Sequence, residues 1–269
     1  MTAQLTYVFD NDNRHAVDQH RCLAGMLDGL TTAQLASTGV GPGWRCLEVG
    51  AGGGSVAGWL VREVAPGGEV IATDIKPVHL RPVPGLTVLR HDIVRDPVPP
   101  GGFDLIHARL VLIHLPDRLA VLDKLVGALR PGGWLQLDEF DLTYGPPLLS
   151  DPADRALYED FLDAKMQLML AAGVDVAWGQ HLVEAFTRAG LVDIDARAHL
   201  QQWDSTAPGV GLLVHHTRHL RDKFEAVGFG EDRLERVRAL LADPRFRATS
   251  CPIYTVRGRL LDAVLRCGR

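Results

Sequence analysis

The fold is decided by one stretch of the sequence, Cys46-Leu47-Glu48-Val49-Gly50-Ala51-Gly52-Gly53-Gly54-Ser55. A short apolar run leads directly into a glycine-rich turn, and an amphipathic stretch follows from about Ser55 to Val64. Glycines let backbone N–H groups approach a ligand closely, because no Cβ intervenes. The stretch therefore predicts a buried strand, a ligand-binding turn and a helix, in that order.

Four more apolar runs follow at short intervals, and the rhythm continues to residue 140. The five runs are Arg45–Val49, Glu69–Asp74, Leu86–Arg90, Phe103–Ala108 and Trp134–Glu139. Gly, Pro or Asp residues bound them, and amphipathic segments separate them. Short, nearly continuous apolar strands that alternate with helices are typical of a parallel sheet covered on both faces.

The flanking regions read differently. Residues 1–44 form an N-terminal extension with two predicted helices, near Asp18–Gly29 and Thr32–Ser37. After residue 140 the pattern predicts four helices and two strands. The helices are Ala153–Ala172, Leu182–Ala189, Gly211–Val227 and Asp232–Leu241, and the strands are Val192–Leu200 and Ala248–Val256. Because no linker or repeat separates these parts, we expect a single domain over residues 1–269.

An acidic residue, Asp74, ends the second apolar run and suits a ribose, since a carboxylate can accept from both hydroxyls. Dinucleotide enzymes combine such a residue with G-x-G-x-x-G and a bound pyrophosphate. Here the third glycine position, counted from Gly50, is Ser55, and Glu48 precedes the turn. A carboxylate at Glu48 favours a cofactor with an ammonium group and would repel a pyrophosphate. A nicotinamide-dependent oxidoreductase is therefore the weaker alternative.

The segment Glu48–Gly54 resembles motif I of class I, Rossmann-like, S-adenosylmethionine-dependent methyltransferases. Later segments are similar to the following motifs of that family, in the same order: Asp74-Ile75, His91-Asp92-Ile93, Phe103–Ala108 and Leu129–Glu139. The resemblance implies a three-layer α/β fold with a seven-stranded, mostly parallel sheet and helical cap elements. It also implies that the last strand, Ala248–Val256, is antiparallel to the others.

The resemblance implies S-adenosyl-L-methionine as cofactor, bound by residues 45–140, while residues 141–269 shape the substrate pocket. Glu48 would orient the methionine amino group, Asp74 would bind the ribose hydroxyls, and Asp92 would accept from the adenine amine. The other expected cofactor-binding residues are Tyr7, Gly50, Gly52, Ile75, Ile93, His107 and Ala108.

Catalysis by methyl transfer from a sulfonium requires mainly the alignment of nucleophile, methyl group and sulfur. A base helps only where the acceptor carries a proton, as a phenol, alcohol or amine does. His107 and His114 are the candidate bases, because they lie at or beyond the end of the fourth strand, where ligands bind in such sheets. For His114 a purely structural role is equally compatible with the sequence.

The residues expected to line the substrate pocket are Arg109, Glu139, Met166, His215 and His219. Each has a structural alternative. Arg109 could form an ion pair with Asp104, Asp117 or Glu139, Met166 could be a core residue, and the two later histidines could lie on a solvated helix face. His215 and His219 are spaced i, i+4, but no third ligand is evident, so no metal site is predicted.

Charge and composition restrict the class of substrate. The formal net charge is -5, and no cluster of basic residues stands out, which disfavours nucleic acid as a partner. No apolar run approaches the roughly 20 residues that span a bilayer. Neither a signal peptide nor a disulfide or zinc spacing of the four cysteines is evident. We therefore expect a cytoplasmic protein with a small-molecule acceptor, and a homodimer stays open.

The expected reaction is methyl transfer to a small, aromatic, natural-product-like acceptor, in the setting of bacterial secondary metabolism such as antibiotic biosynthesis. O-methylation is favoured, and N- or C-methylation, for example of an indole, stays open. A catalytically inactive cofactor-binding protein is the second alternative to this prediction, beside the oxidoreductase.

Overall fold

The computed structural model describes residues 16–261 and places helices on both faces of a seven-stranded sheet. The strands are β1 (Arg45–Val49), β2 (Glu69–Asp74), β3 (Leu86–Arg90), β4 (Phe103–Arg109), β5 (Leu129–Phe140), β6 (Leu191–His199), β7 (Gln202–Asp204), β8 (Arg247–Thr249) and β9 (Ile253–Leu260). The helices are α1 (Ala16–Ala36), α2 (Ser55–Val64), α3 (Arg118–Ala128), α4 (Pro152–Ala171), α5 (Trp178–Arg188), α6 (Pro208–His219), α7 (Arg221–Ala226) and α8 (Glu231–Ala242). A single 3-10 turn, Leu112–His114, follows β4.

The large sheet has the strand order β3-β2-β1-β4-β5-β9-β6. The first five strands are parallel to one another, and β9 runs antiparallel to both β5 and β6. This confirms the expected seven-stranded sheet with one antiparallel strand. The expected strand Ala248–Val256 is divided, because Pro252 lacks the N–H that a ladder needs. Its first part is β8, which pairs with β7 in a separate two-stranded sheet, and its second part belongs to β9.

The two faces of the central strands belong to different hydrophobic clusters. Cys46 and Leu105 pack with the buried face of α2, whereas Leu47 and Ile106, one position further along, pack with α3 and the helices after it. Successive side chains of a strand point to opposite faces, so a strand covered on both sides must be apolar at consecutive positions. This explains why the sequence shows continuous apolar runs instead of alternation.

The N-terminal region forms one helix, α1, where the sequence predicted two. The expected break lies near Thr31 and Thr32, which have low helix propensity. Both side chains find partners within the helical conformation: the Thr31 hydroxyl donates to Asp138 on β5, and the Thr32 hydroxyl donates to the Asp28 carbonyl. The threonines are therefore accommodated by hydrogen bonds that the local sequence does not reveal.

The expected helix Gly211–Val227 is instead two helices, α6 and α7, which meet at Leu220. This residue is buried and leaves the helical conformation, with φ -103° and ψ 15°. Burying Leu220 in the core turns the chain between the two helices. Helix α6 packs against α1, and a Cβ in place of the hydrogen of Gly25 or Gly211 would crowd Pro208 or Cys22. None of the helices within residues 16–261 is long and apolar enough to cross a membrane.

Candidate cofactor and substrate site

A cavity of about 1050 Å³ lies at the carboxyl ends of the central strands. Residues at the end of, or just after, β1, β2, β3 and β4 line it, and α1 contributes one wall. Because these four strands are neighbours in the order β3-β2-β1-β4, the lining residues form one continuous edge of the sheet. Ligands in open α/β sheets bind at this edge, and the volume is typical of a small-molecule site.

The glycine-rich turn forms the floor of this cavity. Gly50, Gly52 and Gly54 have φ values of 65°, 52° and 79°, in the left-handed region that L side chains rarely adopt. A Cβ on Gly50 would approach a Val111 methyl group, and a Cβ on Gly52 would lie 2.9 Å from Cε1 of His20. Glycine is therefore required for both the backbone conformation and the close approach of neighbouring groups.

Asp74 joins the turn to the end of β2. One carboxylate oxygen accepts from the Gly52 amide at 3.0 Å, and the other accepts from the Lys76 amide at 2.8 Å. Asp74 is only 6% exposed, yet it lines the cavity. The same carboxylate thus orders the glycine-rich turn and presents acceptor oxygens to a ligand.

The predicted adenine-binding residues lie next to Asp74 in the cavity wall. Ile75 is 51% exposed although it is apolar, which suits a residue that packs on a planar ligand. Oδ1 of Asp92 accepts from the Val94 amide at 3.0 Å, so the carboxylate is oriented by its own turn. The Ile93 carbonyl accepts from Lys124 at 2.7 Å. All three predicted residues are therefore brought together at one end of the cavity.

A buried chain of charged groups lies behind the glycine-rich turn. Nδ1 of His107 is 2.7 Å from Oε2 of Glu48, and Nε2 is 3.2 Å from Oδ2 of Asp138. His107 has no exposed surface, and burial alone would lower its pKa, but the two carboxylates outweigh this and raise the pKa to about 9. The pKa of Asp138 is lowered by His107, against the opposing effect of burial. His107 is thus an imidazolium held between two carboxylates.

This geometry does not fit the predicted role of His107 as a base. Both ring nitrogens are engaged, the ring carries a proton already, and the side chain does not line the cavity. Ala108 is likewise buried and outside the lining. Glu48 lines the cavity, whereas His107, Ala108 and Asp138 do not.

Arg109 lines the cavity but takes a partner that the sequence did not suggest. Its guanidinium donates to Asp28 at 2.9 Å and to the Thr31 hydroxyl at 3.2 Å, both on α1. Asp28 also accepts from the Ser55 hydroxyl at 3.0 Å. Asp104, Asp117 and Glu139 are not its partners. Arg109 therefore anchors α1 to the sheet and to the start of α2.

His114 lines the cavity on the β4 side, as predicted for a base candidate. Burial lowers its pKa to about 4, and Arg118 adds to the shift, so the ring is neutral near pH 7. Glu139, by contrast, lies behind this wall. It is fully buried, accepts from the Leu112 amide at 2.9 Å, and has its pKa raised to about 8 by burial. It supports the turn that carries His114 and does not itself face the cavity.

The other predicted substrate residues lie apart from the cavity. Met166 on α4 and His215 and His219 on α6 are not among its lining residues. His216, which lies between His215 and His219 on α6, is buried. Burial and the positive charge of Lys165 hold its pKa well below the ordinary value. Within residues 16–261 no three His, Cys, Asp or Glu side chains are grouped so that they could hold a metal ion. Tyr7 falls outside the described residues.

Two histidines of the cavity wall, His20 and His79, were not predicted from the sequence. His20 on α1 lies against Gly52 and Gly53, and its ring meets that of His79 edge to face, with 5.4 Å between centroids. Burial and His79 lower the pKa of His20. Neither residue belongs to a recognisable motif, because only the tertiary fold brings α1 onto the glycine-rich turn.

Comparison with known proteins shows the family of this chain. The sequence of residues 19–231 matches the protein-family model described as the methyltransferase domain. The chain belongs to the methyltransferase domain family. This methyltransferase is 35% identical over 130 residues to methyltransferase str3 of Strobilurus tenacellus, which covers 47% of the chain and 44% of str3. The chain therefore spans less than half the length of that curated relative.

Two solved structures show the same fold at low sequence identity. Phosphoethanolamine N-methyltransferase 2 of Haemonchus contortus, in complex with phosphomonomethylethanolamine and S-adenosylhomocysteine, has a TM-score of 0.58 and 16% identity, covering 96% of this chain and 61% of that one. The [4+2]-cyclase SpnF has a TM-score of 0.52 and 16% identity, covering 88% and 81%. One fold thus serves both methyl transfer and cyclisation, so the fold alone does not define the reaction.

The methyltransferase motifs imply S-adenosyl-L-methionine as the cofactor. The residues present fit such a molecule. Oε1 of Glu48, in the cavity wall, receives no hydrogen bond from the described residues and is available to an ammonium group. Asp74 offers acceptor oxygens to a ribose, and a side chain in place of Gly52 would fill the cradle between the turn and His20.

Proposed function

We propose that this methyltransferase transfers the methyl group of S-adenosyl-L-methionine to a small acceptor with an apolar body, and that oxygen is the preferred nucleophile. One observation carries the proposal: a single cavity joins the cofactor residues at the ends of β1 and β2 to an apolar wall beyond β4. The bound cofactor supplies a sulfonium-activated methyl group, whose C–S bond breaks as the acceptor attacks.

The acceptor would occupy the β4 side of the cavity. The adenine and ribose residues lie at the ends of β2 and β3, so the reactive end of the cofactor points toward β1 and β4. That side is lined mainly by apolar side chains, among them Leu110, Val111, Leu115, Pro116, Ala172 and Val174. The guanidinium of Arg109 there is already neutralised by Asp28. This lining favours an uncharged, flat or polycyclic acceptor over a phosphorylated or carboxylated one.

His114 is the proposed proton-handling group on this side. Its imidazole is neutral near pH 7, so it can accept a hydrogen bond from an acceptor hydroxyl and take the proton as the O–CH₃ bond forms. The groups that position the cofactor remain Glu48, Gly52 and Asp74. His20 closes the cavity over the turn from the side of α1.

The cofactor preference is tested by calorimetric titration with S-adenosylhomocysteine and, separately, with NADH. We expect saturable binding of S-adenosylhomocysteine and no heat from NADH. Tight NADH binding without a response to S-adenosylhomocysteine would overturn the proposal in favour of an oxidoreductase.

The reaction is tested by a screen of small phenols and indoles with methyl-labelled cofactor. We expect label in the phenols, and the variant His114→Ala should lower kcat while S-adenosylhomocysteine affinity stays unchanged. His181→Ala is the matched control, since His181 is exposed and lies outside this cavity. Cofactor binding without label in any acceptor would point to the non-catalytic alternative.

A further inference from the structure

Glu48, His107 and Asp138 form a buried triad of charged side chains beside the cofactor cavity. Taking three charges out of water is costly, and such groups are often replaceable by apolar side chains at no loss of stability. Here the triad spans three neighbouring strands, because β1 pairs with β4 and β4 pairs with β5. One end of the triad, Glu48, lies in the wall of the cofactor cavity.

We propose that His107 is a positioning residue, which keeps Glu48 ionised and oriented so that its free oxygen receives the ammonium group of the cofactor. This inference rests on the proposed function. Nδ1 of His107 lies 2.7 Å from Oε2 of Glu48, and no described residue donates to Oε1 of this cavity-lining side chain. Because the ring is clamped by Asp138 at its other nitrogen, the Glu48 carboxylate has one fixed orientation.

The charge balance requires the imidazolium. The groups that face His107 are two carboxylates, Glu48 and Asp138, which would repel each other if the ring were neutral. Asp138 is further held by the Thr31 hydroxyl at 2.5 Å and by the amide of Gln136 at 3.1 Å. Arg109 reaches the same hydroxyl, which brings its positive charge near Asp138. Asp138 is therefore the better-stabilised carboxylate, and Glu48 is the one that depends on His107.

Removing the positive charge of His107 should make cofactor binding depend on pH, which removing its packing contacts alone would not do. In the variant His107→Gln, two carboxylates would share a buried site without a cation between them, so one would take up a proton. None of the other described residues donates to the Glu48 carboxylate, so this site would be the one to lose its negative charge and its attraction for an ammonium group. Cofactor binding should then weaken at low pH and recover as the pH rises.

The experiment is a titration of S-adenosylhomocysteine by calorimetry at pH 5.5 to 8. We expect wild-type affinity to be nearly constant, and His107→Gln to bind about tenfold more weakly at pH 6, the scale of one lost charge-assisted contact, with partial recovery at pH 8. The double variant His107→Gln/Asp138→Asn removes the second carboxylate, so it should regain affinity at pH 6. His216→Gln is the control for loss of a buried histidine, since His216 does not line the cavity.

A merely structural role for His107 predicts a different pattern, in which the loss of affinity is independent of pH and the double variant binds no better than the single one. That pattern, or unchanged affinity, would overturn the inference. Failure of the wild-type protein to bind S-adenosylhomocysteine would instead overturn the proposed function. Should His107→Gln not fold, ¹⁵N shifts of the wild-type ring decide. Both nitrogens should be protonated at pH 7.5, and a neutral tautomer would refute the proposal.

Discussion

The variant Glu139→Gln should make this methyltransferase more stable in alkaline solution. Glu139 is fully buried beneath the turn Leu112–His114, and Oε1 accepts from the Leu112 amide. No hydrogen bond from the described residues reaches Oε2. Glutamine keeps the oxygen that accepts from the Leu112 amide. Its NH₂ group takes the place of the O–H of the protonated carboxyl, and neither group has a hydrogen-bond partner among the described residues. The two side chains differ because glutamate becomes charged as the pH rises, whereas glutamine stays neutral.

The magnitude follows from the pKa of Glu139, which burial raises from the ordinary 4.5 to about 8. Between these values the folded state retains a proton that the unfolded state releases, so the free energy of unfolding falls as the pH rises. The difference between these two pKa values corresponds to about 5 kcal/mol, most of which is present by pH 8. At pH 5 the variant and the wild type should be nearly equal in stability, and the gap should widen by about 1.4 kcal/mol per pH unit.

Urea unfolding at pH 5, 6, 7 and 8 measures this gap. Other titrating groups, His107 among them, are present in both proteins and cancel in the difference. The control is Glu235→Gln, which makes the same substitution at an exposed residue of α8. Parallel stability curves for Glu139→Gln and wild type, or a variant less stable than wild type at pH 8, would refute the reasoning.

Two further variants test the cofactor side of the cavity. Asp74→Ala leaves the amides of Gly52 and Lys76 without their acceptor, so it should destabilise the fold by about 1–3 kcal/mol per lost partner and also weaken S-adenosylhomocysteine binding; unchanged affinity in calorimetry would remove Asp74 as the ribose ligand. Gly52→Ala should reduce affinity at least tenfold, because its Cβ meets His20. Gly39→Ala shares the positive φ but has open space around it, so equal losses of affinity in both variants would contradict the steric explanation.

The sequence predicted the fold of residues 45–140 because that fold is encoded locally. The strand, turn and helix around Gly50 are contiguous, and the hydrophobic pattern of the five strands is explained by burial on both faces. The predicted order of motifs along the chain translates directly into neighbours at one sheet edge, since the carboxyl ends of parallel strands meet there. Glu48, Asp74 and Asp92 could therefore be placed together before the structure was known.

The substrate half depends on contacts between distant segments, which local patterns do not report. The sequence treated residues 1–44 as an extension, yet α1 contributes His20 to the cavity wall and Asp28 to the ion pair with Arg109. Asp138 and Glu139 are neighbours on β5, yet Asp138 accepts from Thr31 on α1 and Glu139 accepts from the Leu112 amide, and the local sequence shows neither contact. The carboxylates of Glu48 and Asp138, which other strands supply, turn His107 from a candidate base into an imidazolium.

The weak basicity of His114 restricts how this enzyme could handle a proton. A phenol has a pKa of about 10 and His114 one of about 4, so complete transfer before methylation would cost about 8 kcal/mol. Such a step would consume a large part of any rate enhancement. In the proposed reaction with a phenol, the proton would instead leave as the O–CH₃ bond forms and the phenol oxygen becomes acidic. The rate should then stay constant from pH 6 to 8, where His114 is neutral throughout, and alignment of acceptor and methyl group, more than prior deprotonation, should determine it. A rate that rises tenfold per pH unit over this range would show that free phenolate is the reacting species and that His114 takes no proton.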